Sequence, residues 1–204
     1  MAGNRATEWI WLRHAPTAQA GRFCGQADVP AMAVPKATYA GIVSHIPANA
    51  RVFVSPLTRA TQTLDGLLDA GLSPVECTTN DLIREQHFGD FENTPYADVT
   101  LPDDKEGLAQ WRAPDGESFG DVVVRVGRFL SQELADDSEE PRLVVTHAGV
   151  IRAALTIASD MPAADGLSFA IDTLSLTAIS RTSEGSWRIK YINSSIGERH
   201  VAIG

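Results

Sequence analysis

Cysteine is scarce: the 204-residue chain has two, Cys24 and Cys77. Two cannot build a disulfide framework, and their spacing matches no zinc knuckle, so both read as thiols in a reducing compartment. Positive charge is also in deficit. Lys+Arg number 17 against 26 Asp+Glu, giving 17 − 26 = −9. That balance argues against broad binding to nucleic acid or an anionic membrane, which carry the same sign. An anionic small molecule stays open as a partner, because a few arginines can reverse the field inside one cleft. No apolar run approaches the roughly 20 residues of a membrane span. The opening MAGNRATEW lacks the basic start and apolar stretch of a secretory signal. The expectation is a soluble, cytoplasmic protein. The five histidines (14, 45, 87, 147 and 200) form no HExxH or His-x-His pair, so no metal site is expected.

What the chain does have is ordinary globular composition, 44% hydrophobic and 21% charged, over a length that suits one domain spanning 1–204. Compact apolar runs at Trp9–Leu12, Arg51–Val54 and Leu143–Val145 are short enough to be buried parallel strands. Ser55-Pro56 reads as a helix cap followed by proline in the first turn. Leu57, Ala60, Thr61, Leu64, Leu67 and Leu68 share one face of the helix that follows. Ser118 with Asp121 marks a second helix start, and Phe119, Val122, Val123, Val126, Phe129 and Leu130 form its apolar stripe. Val150, Ile151, Ala154 and Leu155 continue the pattern after the third strand. Leu174–Ile179 and Trp187–Ile192 read as a hairpin around a turn at Thr182–Ser186. This alternation predicts an α/β fold, a three-layer α/β/α sandwich with a mostly parallel central sheet. The acidic, Pro- and Gly-bearing stretch at about 93–117, with an isolated Trp111, reads as a small inserted lobe.

Open α/β sheets bind ligands at the carboxyl ends of their strands. Here those ends read Arg13-His14-Ala15-Pro16-Thr17, Ser55-Pro56-Leu57-Thr58-Arg59 and Thr146-His147-Ala148-Gly149, which puts two histidines and two arginines on one rim. Arg59 in the first helical turn opposes the positive end of the helix dipole, a conflict that a bound anion would remove. Each residue alone also fits a plain surface role.

Together, RHAPT, SPLTRATQT, REQHFGDFE and VVTHAGVIR, in that order along Trp9 to Asn193, resemble the histidine phosphatase superfamily, which is phosphoglycerate-mutase-like. The HFGDFE block and the chain length resemble its alpha-ribazole and broad-specificity phosphatases. The resemblance implies hydrolysis of a small phosphorylated metabolite through a phosphohistidine, with no metal or other cofactor. It implies His14 as nucleophile and Arg13, Arg59 and His147 as a phosphate clamp, which suits a transition state that spreads charge over three oxygens. By the same resemblance Glu85 is the proton donor and later the base, in surroundings that favour its protonated form before transfer. Read without the family, Glu85 could be a surface carboxylate paired with Arg84. Thr17, Gly25 and the backbone of Ala148 match positions that line the phosphate pocket, and Cys24 reads as a small buried spectator. His87 is either a substrate contact or a packing residue.

The chain departs from the family at Ala15, where Gly is usual, at Asn93, again for Gly, and in a shortened loop at 18–23 that lacks the usual Trp-Asn. The acidic lobe argues for hydrolysis over mutase-type transfer, with a mutase or a non-catalytic phospholigand-binding module as alternatives. The sequence leaves the oligomeric state open, with a dimer as one possibility.

Overall fold

A computed structural model describes residues 6–136 and 138–195. His200 and the first five residues of the stretch read for a secretory signal lie outside them. Six strands form one sheet: β1 (Thr7–Arg13), β2 (Arg51–Val54), β3 (Glu76–Thr79), β4 (Arg142–Thr146), β5 (Leu176–Arg181) and β6 (Trp187–Ser194), in the order β3-β2-β4-β1-β5-β6. The first four strands in that order run parallel. β5 pairs antiparallel with β1, and β6 antiparallel with β5, as the hairpin pattern predicts.

Alternation along β1 sorts its side chains to two faces. Trp9 and Trp11 join Phe53, Val144 and Ile179 in one core, which is covered by α4 (Phe119–Leu134) and α5 (Ala148–Ala158). Ile10 and Leu12 join Val52, Val54, Leu143 and Val145 in the other, beneath α1 (Lys36–Val43) and α2 (Thr58–Asp69). The result is the expected three-layer sandwich. Phe129 of α4 meets both tryptophans edge-on, at ring-centroid distances of 5.9 and 6.2 Å, and truncating it to alanine would cost about 3–5 kcal/mol. Ser118 and Asp121 cap α4 reciprocally: the Asp121 amide donates to Ser118 Oγ and the Ser118 amide to Asp121 Oδ2.

Three local expectations are corrected. Ser55-Pro56 does not cap α2, which begins at Thr58. Asp28, thirty positions earlier, does so by accepting from the Thr58 amide and hydroxyl, both at 2.8 Å. Leu68 is exposed and Thr63 buried on that helix, because Thr63 Oγ1 accepts from the Ala15 amide and donates to the Arg59 carbonyl. In the stretch at 93–117 the chain forms a short turn at Tyr96–Asp98 and α3 (Lys105–Gln110). Trp111 is not isolated: it stacks on Phe91 at 6.0 Å and lies near Phe23 and Phe88.

Candidate active site

Sheet register assembles the site. Arg13 pairs with Thr146 and Val54 with Val145, so the next residue on each strand, His14, Ser55 and His147, emerges side by side at the carboxyl edge. Backbone bonds extend the ladder by one step: the His14 amide donates to Thr146 and the Ser55 amide to Val145. The His14 and His147 rings lie 5.0 Å apart between centroids. Beside them opens a cavity of about 470 Å³ whose wall includes Arg13, His14, Thr17, Gly25, Arg59, Glu85 and Ala148. Seven of the eight residues singled out from the sequence therefore line one space. The eighth, His147, is fully buried behind it.

His14 Nδ1 lies 2.7 Å from the Ala15 carbonyl oxygen, an acceptor, so that nitrogen carries the proton. Nε2 keeps its lone pair and accepts from Arg59 Nε at 3.2 Å. Burial pushes the His14 pKa down to about 3, with the Arg59 and Arg13 guanidiniums adding to the shift and the Ala15 carbonyl opposing it. Burial, then Arg59, His14 and Arg13, holds His147 well below 6.5. Both imidazoles are neutral at neutral pH.

Arg59 is fully buried and held by carbonyls, donating from Nη2 to Gly25 at 2.6 Å and from Nη1 to Ala27 at 3.0 Å. Arg13 is anchored on the Ile171 carbonyl through Nη1 at 2.6 Å. Gly25 sits at φ +48°, and a Cβ there would come 2.7 Å from Glu92 Oε1 and 2.9 Å from Phe88. Its glycine thus serves a turn packed against these two side chains as well as the cavity wall. Ala148 is the first residue of α5, so its amide belongs to the positive helix end facing the cavity.

Glu85 caps that same helix end. Its carboxylate accepts from the Gly149 amide at 3.1 Å and from the Gln86 amide at 3.0 Å. A Cβ at Gly149 would stand 2.3 Å from Glu85 Oε1, so glycine is what admits the carboxylate here. Glu85 is not paired with Arg84, whose Nε and Nη2 both lie 2.8 Å from Asp81. Arg125 anchors the segment before Glu85 by donating to the Leu82 and Arg84 carbonyls while its fork holds Glu117. Cys24 lines the cavity instead of lying buried. His87 lies outside that wall, 3.6 Å from Glu92.

Sequence reasoning missed Arg152 and Arg22, which both line the cavity. Arg152 donates from Nε to the Phe169 carbonyl; burial lowers its pKa, and the charge of Glu85 is the main influence opposing that shift. The signal for Arg152 was present: it ends the VVTHAGVIR block and lies four residues after Ala148, on the same helix face. Among the described residues no group of three His, Cys, Asp or Glu side chains is placed to hold a metal ion, and no helix is long and apolar enough to cross a membrane.

The family model described as histidine phosphatase superfamily (branch 1) matches residues 9–195. The adenosylcobalamin/alpha-ribazole phosphatase of Salmonella typhimurium is 30% identical over 192 residues, covering 91% of this chain and 88% of that one. The 2,3-bisphosphoglycerate-dependent phosphoglycerate mutase 2 of Gloeobacter violaceus is 30% identical over 145 residues, which is 66% of either chain. A mycobacterial glucosyl-3-phosphoglycerate phosphatase solved with VO3 superposes with a TM-score of 0.78 at 25% identity, over 93% of this chain and 100% of that one. Family model, curated relatives and sheet architecture agree, and the chain belongs to the histidine phosphatase superfamily, branch 1.

Proposed function

We propose that this protein hydrolyses a small phosphorylated metabolite by passing its phosphoryl group through His14. The observation that carries the reading is the nucleophile: a neutral imidazole with Nδ1 bonded to the Ala15 carbonyl and the Nε2 lone pair turned to Arg59. In the first step Nε2 bonds to phosphorus as the bond to the ester oxygen breaks. The ring gains positive charge, which the Ala15 carbonyl offsets through Nδ1–H. Arg13 and Arg59 hold the phosphoryl oxygens with charge-assisted bonds suited to planar guanidiniums, and the Ala148 amide adds a helix-end donor. Glu85 gives its proton to the departing oxygen.

In the second step Glu85 takes a proton from water, which attacks phosphorus and returns His14 as a neutral imidazole. No metal enters either step in this reading, and the free thiols of Cys24 and Cys77 suit a reducing, cytoplasmic setting. Thr17, Arg22 and Arg152 line the same cavity and are the side chains left to meet the alcohol portion of the substrate.

The mutase relative favours a second reading, phosphoryl transfer between two positions of one metabolite. The acidic lobe weighs against it, because Asp98, Asp103, Asp104, Glu106 and Asp115 would repel a doubly phosphorylated acid. Turnover of p-nitrophenyl phosphate by the wild type, abolished in His14→Ala, is the expected result. Phosphate binding with no wild-type turnover between about pH 5 and 8 would favour a binding module instead.

A further inference from the structure

The serine at the end of β2 does not cap the helix that follows it. Ser55 and His147 are both fully buried, and His147 Nε2 lies 2.7 Å from Ser55 Oγ. Two proton arrangements fit that distance. If His147 donated from Nε2, its Nδ1 would be a bare acceptor and the serine hydrogen would have no acceptor, leaving two buried positions unsatisfied. If Ser55 donates to Nε2, its oxygen remains free to accept from the Leu57 amide at 3.4 Å, and the ring proton sits on Nδ1. One position is then unsatisfied, and burying the fewest unpaired groups favours this arrangement. A doubly protonated ring is excluded by burial and by Arg59.

Nδ1 has no hydrogen-bond partner among the described residues. An orphan donor in a buried site calls for an explanation. This one belongs to a ring packed on His14, one position before Ala148 and Gly149 of the cavity wall. In the free chain Arg59 Nε donates to His14 Nε2, and a phosphoryl group bonded to that nitrogen would take the place of this contact and bring an anion close to the His147 ring packed on His14.

We propose that Ser55 is a positioning residue: its hydroxyl fixes His147 as the Nδ1–H tautomer, and that N–H donates to the phosphoryl group during transfer to and from His14. The second half of this rests on the proposed phosphatase reading, whereas the tautomer does not. Nitrogen–proton correlation spectra of histidine-labelled protein test it directly. Wild type should show His147 protonated at Nδ1 and bare at Nε2, with inorganic phosphate shifting the Nδ1–H resonance. In Ser55→Ala the ring should populate both tautomers, kcat should fall roughly tenfold while KM stays within about twofold, and Ser55→Thr should restore both readouts.

Protonation at Nε2 in the wild type would overturn the assignment without reference to activity. Wild-type kcat in a folded Ser55→Ala would overturn the positioning role, and an Nδ1–H signal indifferent to saturating phosphate would overturn the donation to the phosphoryl group. An intact Nδ1–H tautomer in a protein without turnover would uphold the tautomer assignment and refute the phosphatase reading instead.

Discussion

Acid should destabilise this fold through two buried imidazoles. His14 is about 6% exposed and His147 not at all. His14 is held down to about 3 and His147 well below 6.5, while the unfolded chain presents both near the ordinary 6.5. The unfolded state therefore binds more protons than the folded one throughout the interval below 6.5. With that sign, the stability is fully present above 6.5 and is lost as pH falls toward the folded value. Between about pH 7.5 and 5.5 an unfolded imidazole goes from about one-tenth to nine-tenths protonated, which integrates to about 1.4 kcal/mol per ring. Two rings give about 2.7 kcal/mol, a large part of the 5–15 kcal/mol typical of a domain. Asp28 and Asp121, held below the ordinary carboxylate range by bonds from Thr58 and Ser118, titrate below this window. Urea unfolding at both pH values, in phosphate-free buffer so that no ligand shifts the balance, reads the loss directly. His14→Asn should halve it to about 1.4 kcal/mol, whatever its effect on absolute stability. An equal loss in wild type and variant would refute the claim that His14 is buried and neutral.

Further expectations follow from individual contacts. Glu85→Gln should slow hydrolysis of an alkyl phosphate by about 10²–10⁴-fold. With p-nitrophenyl phosphate, whose leaving group needs no proton, the variant should instead release a rapid burst of one nitrophenol per site before a slow phase. Absence of the burst, with normal steady turnover, would remove Glu85 from the water-activating step. Gly149→Ala, whose Cβ would fall 2.3 Å from Glu85 Oε1, should displace that carboxylate and lower kcat by at least about tenfold in a folded protein, measured with the same ester. Ser118→Ala should cost about 1 kcal/mol in urea unfolding by removing one half of the α4 capping box, with kcat unchanged.

The layered fold was legible because its signals are periodic: alternation along β1 and the α4 stripe each follow from burying one face. The two histidines and Arg13 were legible because strand ends are fixed by short buried runs, so position along the strand predicts position in space. Ser55 was misread for the opposite reason. A Ser-Pro pair is a strong local cap signal, yet a bond to His147, 92 positions away, and a cap supplied from the distant Asp28 prevailed. On α2, Ala60, Leu64 and Leu67 are buried as the pattern predicts, while Thr63 joins them through its bond from the distant Ala15 amide and Leu68 stays exposed. Arg22 lies in a loop with no period to read, and its place in the cavity wall depends on how residues 18–23 fold over the site.

The central claim is that phosphorus becomes covalently attached to His14. Rapid denaturing quench of the protein mixed with a slowly hydrolysed phosphomonoester, followed by mass spectrometry of peptides at alkaline pH, tests it most directly. One phosphoryl group is expected on the peptide containing His14, none in His14→Ala, and accumulation in Glu85→Gln, where the second step is slowed. Turnover by the wild type with that peptide unmodified at every quench time would contradict the account.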